Sequence, residues 1–216
     1  MWEGDHFTPE DPYETQKMRI FSVTWNLHGK LPKDDEELEI LLRAKSIHHD
    51  IFVIATQECM RQIAAAVIAP SKAKWETVLQ NYFGENFIMV SGIALGATHL
   101  AVFVHITLIP IISNVKSDCI ATGLSNVVGN KGGIGISFNI GKSSLLFISS
   151  HLAAGHEEVE RRNQDFNKIF KSLVLHQTEE NKKSSCMSPS TTTKIKKNMV
   201  AAEESMDRFN ESLTDE

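Results

Sequence analysis

The chain has 216 residues, 42% of them hydrophobic and 23% charged, with a formal net charge of −5. That length buries one substantial core, and that composition excludes a disordered chain. The negative balance leaves no overall electrostatic footprint for nucleic acid, no apolar run reaches membrane-spanning length, and the acidic start MWEGDHFTPEDPYETQK is not a secretory signal.

Residues 1–17 read as a polar lead-in. RIFSVTWN (19–26) is β-branched and aromatic, hence a strand, and residues 27–32 form a loop around Gly29 and Pro32. Asp34 followed by Glu37 resembles a capping box, opening a helix whose apolar face is Leu38, Leu41 and Leu42. DIFVIATQE (50–58) is almost continuously apolar, as a strand covered on both faces would be. A helix over 61–83 with a break at Pro70 follows, then strands at 86–95 and 99–107. The stretch 108–131 reads as loop-rich and ends in GNKGG. Strands at 133–140 and 143–150 are joined by a tight turn at Gly141-Lys142. A helix at 156–176 carries Val159, Phe166, Ile169, Phe170 and Leu173 at helical spacing. Beyond residue 177 the composition turns Ser/Thr/Lys-rich without a period, a variable segment with a short amphipathic helix near its end. The three cysteines, Cys59, Cys119 and Cys186, are far apart and outside any C-x-x-C pair, which argues against a disulfide framework or zinc site and for a reducing cytoplasm.

Three strands end alike, at Asn26, at Glu58 and at His151. In a layered domain, groups at strand ends on one edge gather at one crevice. An amide oxygen and a carboxylate are hard ligands that suit Mg²⁺. A histidine beside them donates to a phosphate oxygen or carries a proton. Taken singly, each residue also has a plain reading: Asn26 as a turn residue, Glu58 as a solvated strand terminus, His151 as a structural histidine. GNKGG fits neither a P-loop nor a dinucleotide fingerprint, but its glycines let a backbone approach a ligand, with Lys131 as a point charge for phosphate. Arg162 and Asn163 interrupt the stripe from Val159 to Phe166 and need partners; bracing the His151 loop from behind is one arrangement, and a rolled helix that leaves both at the rim is the other.

Taken in order, TWNLHG, ATQE, SNVVGNKGGIGISF, SSHLAAG and ERRNQDF resemble the catalytic domain of the inositol polyphosphate 5-phosphatases, magnesium-dependent members of the endonuclease/exonuclease/phosphatase (DNase-I-like) superfamily. The resemblance implies an α+β fold, a β-sandwich flanked by helices. It implies Asn26 and Glu58 as the Mg²⁺ pair and His151 at the scissile 5-phosphate. Asn130 and Lys131 would bind substrate, and Arg162 and Asn163 would support the site. The implied substrate is a phosphoinositide or soluble inositol polyphosphate, with peripheral membrane contact when it is a lipid.

The family pattern continues with a Gly-Asp-x-Asn-x-Arg motif and then a Ser-Asp-His motif. Here the one Gly-Asp is Gly4-Asp5, and the one Ser-Asp is Ser117-Asp118, followed by Cys119. The expectation is therefore a C-terminally truncated domain over 18–176, with impaired turnover and with Phe138, Phe147 and Ile148 opened to water on an incomplete sandwich. A catalytically inactive phosphoinositide-binding or regulatory fragment is the alternative. A nuclease of the same superfamily is a third, against which GNKGG and SHLAAG argue.

Overall fold

In the computed structural model, residues 17–60, 72–123, 131–173 and 175 are described. They form, in order, β1 (Ile20–Asn26), α1 (Asp35–Leu42), β2 (Ile51–Gln57), α2 (Ala73–Phe83), β3 (Phe87–Leu95), β4 (Thr98–His105), β5 (Ile112–Ala121), β6 (Gly132–Ile140), β7 (Ser143–His151) and α3 (Val159–Ser172). The opening of α1 follows its sequence signal: the Asp34 carboxylate accepts from the Glu37 N–H at 3.0 Å. The Glu37 carboxylate reaches back one residue further than an ideal box, to the Lys33 N–H at 2.9 Å.

The strands make two sheets, ordered β1-β2-β4-β3 and β5-β6-β7. β1 and β2 are parallel, with α1 between them in the chain, and every other pair is antiparallel. β2 and β4 are buried at every position, as the unbroken apolar run in β2 foretells. Their alternate faces serve two cores. Val53, Ala55, Leu100 and Val102 pack against Ile134, Ile136 and Phe138 between the sheets. Phe52, Ile54, Ala101 and Phe103 pack under α1 and α2 with Leu38, Trp75 and Leu79. This is the α+β sandwich with flanking helices that the sequence leads one to expect.

Four readings change. The loop-rich stretch contains β5, a ten-residue edge strand paired along β6. Its Ser, Asn, Lys and Asp residues hide the strand pattern. Polar side chains suit an edge, and the register shifts between Ser113 and Lys116, where Asn114 adopts φ 53°. Second, Phe138 is buried, because β6 is the middle strand of its sheet, and Phe147 packs against the inter-sheet core. Of the three expected to be open, only Ile148 is, at 47% exposure on the outward face. Third, Cys119 is disulfide-bonded while Cys59 is a free, buried thiol. Separation along the chain does not limit pairing, which needs only nearby Cα atoms. Fourth, the described part of the 61–83 helix is α2, and the last helix narrows to α3. The break at Pro70 and the segment from 177 onward, with its amphipathic helix, lie outside the described residues.

Among the described residues the second sheet has one strand fewer than the first. Ile20, Ser22 and Thr24 share the inter-sheet face with Ile51, Val53 and Ala55, their register partners on β2, yet all three are exposed. Between β1 and β7 the sandwich stands open in a cleft of about 370 Å³, lined by Thr24, Ala55, Phe147 and Ser149 among others. No described helix is long and apolar enough to cross a membrane.

Candidate active site

Parallel pairing brings the C-terminal ends of β1 and β2 together, with Asn26 opposite Gln57 in the register. The end of β7 joins them at the same edge: the Gln57 amide donates to Ser149 Oγ at 3.4 Å, two residues before His151. In β6–β7 the partner of His151 is Gly132, which puts Lys131 at that edge too. Asn26, Glu58, His151 and Lys131, scattered over more than a hundred positions, thus come from four neighbouring strand ends.

The first sheet supplies one half of the site. Past the strand ends, Leu27 donates its N–H to the Gln57 carbonyl and Gly29 to that of Glu58, each at 2.9 Å. Asn26 Oδ1 accepts from the His28 N–H at 2.9 Å, so the strand-end asparagine also closes the local turn. His28 and Glu58 both adopt left-handed backbone, φ 48° and 51°. Such a conformation costs a non-glycine residue roughly 1–2 kcal/mol. It turns the Glu58 carboxylate away from the direction in which β2 would have carried it. Glu58 Oε2 lies 3.6 Å from Nδ1 of the exposed His28.

The second sheet supplies the other half. Lys131 Nζ donates to His151 Nε2 at 2.7 Å, which leaves the imidazole proton on Nδ1. The Lys131 carbonyl is tied to the Thr122 N–H at 3.0 Å. A Cβ on Gly132 would collide with the Ile120 carbonyl, so the glycine after Lys131 is required for β6 to close against β5. Asn130 lies outside the described residues.

Behind His151 the chain is gripped from α3. Arg162 donates to the carbonyls of Ala153, Gly155 and His156, at 3.3, 2.6 and 3.4 Å. This is the bracing that the interrupted stripe anticipates for Arg162. Asn163 does not share it: the residue is exposed and its side chain makes no hydrogen bond to a described residue. Asp165 takes that part. It is 4% exposed and accepts the Ala153 N–H at 3.1 Å, with Arg161 Nε 3.7 Å from its other oxygen. Of the expected apolar stripe, Val159, Phe166 and Phe170 are turned outward, exposed at 56, 58 and 72%, while Ile169 is buried and Leu173 half-buried. The inward face is the half-buried Arg162 with the buried Asp165 and Ile169, because polar side chains there meet loop backbone and Ile169 settles over Gly133. The spacing 162–165–169 is helical, so Asp165 is legible once polar residues are allowed to point inward. His28, Gln57 and Ser149 carried no such signal.

The donor set matches a hard cation. Glu58 offers a carboxylate and Asn26 an amide oxygen with a second lone pair free of the His28 contact. Among the described residues no group of three or more His, Cys, Asp or Glu is placed to hold a metal. Such a site suits an ion that keeps several waters and takes further oxygens from a bound ligand, as Mg²⁺ does. Across the rim stand an ammonium and an imidazole, donors suited to phosphate oxygens.

The family model described as endonuclease/exonuclease/phosphatase family 2 matches residues 23–201. The chain is 29% identical over 164 residues to the human phosphatidylinositol polyphosphate 5-phosphatase type IV, covering 76% of this chain and 24% of that protein. It is 33% identical over 182 residues to human synaptojanin-2, covering 74% of this chain and 12% of that one. Among solved structures it resembles the inositol polyphosphate 5-phosphatase domain of SPsynaptojanin in complex with inositol (1,4)-bisphosphate and calcium ion. The TM-score there is 0.62 at 29% identity, over 72% of this chain and 46% of that one. The chain thus spans about a quarter of the length of the first of these relatives.

Proposed function

The chain belongs to the endonuclease/exonuclease/phosphatase family 2, and on that footing we propose that it carries a site for hydrolysing the 5-phosphate of inositol polyphosphates or phosphoinositides with Mg²⁺. The observation that carries the proposal is the Lys131–His151 pair, 2.7 Å apart, at the same edge as Glu58 and Asn26. Two nitrogens at that separation can both reach oxygens of one phosphate group. The relatives and the calcium- and inositol-bisphosphate-bound neighbour support both the substrate class and the use of a divalent cation.

Asn26 and Glu58 would hold the Mg²⁺, which when bound supplies Lewis-acid polarisation of the phosphate. His151 and Lys131 exchange their mutual hydrogen bond for bonds to phosphate oxygens, and Asn130 joins them as a substrate contact. Lys131 offsets phosphate charge as a fixed cation. Arg162 and Asp165 keep the 151–156 turn seated, so that His151 meets the phosphate without reorganising. Neither Gly-Asp-x-Asn-x-Arg nor Ser-Asp-His, the motifs that the resemblance would assign to orienting and activating the attacking water, occurs in the sequence. We therefore expect weak turnover from these 216 residues alone. We further propose a cytoplasmic location with peripheral membrane contact when the substrate is a lipid.

Phosphate release from a soluble inositol trisphosphate and from phosphoinositide vesicles, with Mg²⁺ and with EDTA, tests this. Slow Mg²⁺-dependent release that disappears in Glu58→Ala is the expected result. Binding sensitive to Lys131→Ala without any release would establish the inactive phosphoinositide-binding alternative. Absence of both binding and release would overturn the proposal, and fast release would overturn the expected impairment.

A further inference from the structure

The two halves of the site sit on different sheets, and a residue outside those assigned to it links the sheets beside them. Between the sheets the contact is almost wholly aliphatic, Val53, Ala55, Leu100 and Val102 against Ile134, Ile136 and Phe138. Aliphatic packing sets a mean sheet spacing but tolerates sliding and small rearrangement. At the site end a polar crosslink interrupts it. Gln57, 9% exposed, donates from Nε2 to Thr24 Oγ1 on β1 at 3.1 Å and to Ser149 Oγ on β7 at 3.4 Å. Thr24 Oγ1 lies 3.4 Å from Gln57 Oε1 in return.

The alternation of strands makes this crosslink a platform. Thr24 is two residues before Asn26, so both side chains leave β1 on the same face. Ser149 stands in the same relation to His151, and Gln57 immediately precedes Glu58. Thr24, Gln57 and Ser149 thus adjoin Asn26, Glu58 and His151 along their own strands, with Gln57 level with Asn26 in the register. The cleft between β1 and β7 opens beside them, lined by Thr24 and Ser149. Among the described residues no strand of the second sheet covers β1 at that open flank, and the Gln57 amide reaches across it to Ser149.

We infer that Gln57 is a positioning residue: its amide holds the Asn26/Glu58 half-site and the Lys131/His151 half-site at the separation at which a cation on one and a phosphate on the other meet. The inference rests on the reading of the two half-sites given above. It concerns the gap between them rather than the strength of either. A group bound on one side helps a group bound on the other only when their distance is fixed, and that help is a coupling free energy.

The test measures coupling directly, with Mn²⁺ as the metal probe and a soluble inositol trisphosphate as the phosphate probe, by calorimetry on the full chain. Three affinities are taken: Mn²⁺ alone, the inositol phosphate alone in metal-free buffer, and the inositol phosphate with Mn²⁺ saturating. In the unsubstituted protein Mn²⁺ strengthens inositol phosphate binding. In Gln57→Met, which keeps the length and loses the hydrogen bonds, each probe alone binds within about twofold of the parent, while the enhancement falls about fivefold or more. Ser149→Ala cuts the same link from the other sheet and leaves Gln57 bonded to Thr24, so it serves where Gln57→Met does not fold. The double variant loses no more enhancement than either single one. Enhancement retained in Gln57→Met or Ser149→Ala overturns the positioning role and leaves the phosphatase reading standing. Loss of either probe's separate affinity overturns it in favour of a general structural role. Absence of enhancement in the parent overturns the two half-site reading, and this inference with it.

Discussion

Placing a methyl group on Gly133 tests how α3 is seated over the second sheet. Gly133 has no positive φ to protect, so alanine suits its backbone; the obstacle is steric. A Cβ there would stand 2.6 Å from Ile169 Cγ2, 2.9 Å from Cδ1 and 3.0 Å from Cγ1. Ile169 is buried and branched, so it cannot swing away as the tip of a lysine would. Overpacking of this kind costs about 1–3 kcal/mol, offset by roughly 0.4–1 kcal/mol from the stiffer unfolded chain. The single variant is therefore ambiguous, and the double-mutant cycle is decisive. Ile169→Ala alone opens a cavity at a cost of about 2–5 kcal/mol. In that background the methyl at position 133 clashes with none of the three atoms and fills part of the void. The unfolded-state contribution is the same in both backgrounds and cancels. Urea denaturation of the four proteins should show a coupling of about 1–3 kcal/mol, the double variant being more stable than the sum of the singles predicts. Additivity within about 0.5 kcal/mol would mean that Ile169 does not bear on Gly133, and the account of how α3 reaches the His151 turn would fail with it.

Asp165→Ala removes the acceptor of the half-buried Ala153 N–H, and should lower stability by about 1–3 kcal/mol in urea melts while hastening amide exchange at Ala153. Burial, with His48 acting in the same direction and Asp50 opposing, holds His105 below its ordinary value of 6.5. The unfolded chain therefore takes up the His105 proton at higher pH than the native one. The associated stability is complete above about pH 6.5 and falls as pH drops through that value toward the depressed native pKa, by at most about 1.4 kcal/mol per pH unit. Denaturant midpoints at several pH values between 7.5 and 5.5 should show this slope, and His105→Gln should flatten it. Phe166 and Phe170 stack at 6.0 Å with both rings exposed, so Phe166→Ser with Phe170→Ser should cut light scattering on concentration while changing stability by only about 0.5–1.5 kcal/mol.

The strands most open to reading were those whose side chains are all apolar or strictly alternating. β2 is an uninterrupted hydrophobic run because both its faces are covered, and β6 and β7 announce themselves through the glycine turn between them. β5 was unreadable for the opposite reason: an edge strand with a bulge can carry Asn114, Lys116 and Asp118 without loss, and nothing in composition separates it from a loop. The same divide runs through the site. Asn26, Glu58 and His151 each stop an apolar strand, and Lys131 is framed by glycines, so all four stand out from their surroundings. Gln57 closes β2 and Ser149 sits inside β7, and both look like ordinary members of their strands. Their bond spans 92 positions, and only the packing of two sheets discloses it. The roll of α3 failed to show because hydrophobicity was taken to mark the buried face. Where a helix covers a glycine-lined sheet and a turn full of carbonyls, the inward face is the one that can donate and accept hydrogen bonds.

Glu58 bears on how such a protein would age over generations. Held at φ 51°, it occupies a backbone conformation that glycine adopts freely and asparagine tolerates better than glutamate. The backbone conformation by itself does not favour a glutamate there. A lineage under purifying selection for stability only would drift to glycine or asparagine at this position, whereas one whose descendants still depend on the carboxylate would keep it. The identity of residue 58 among future orthologues is thus a record of use or disuse.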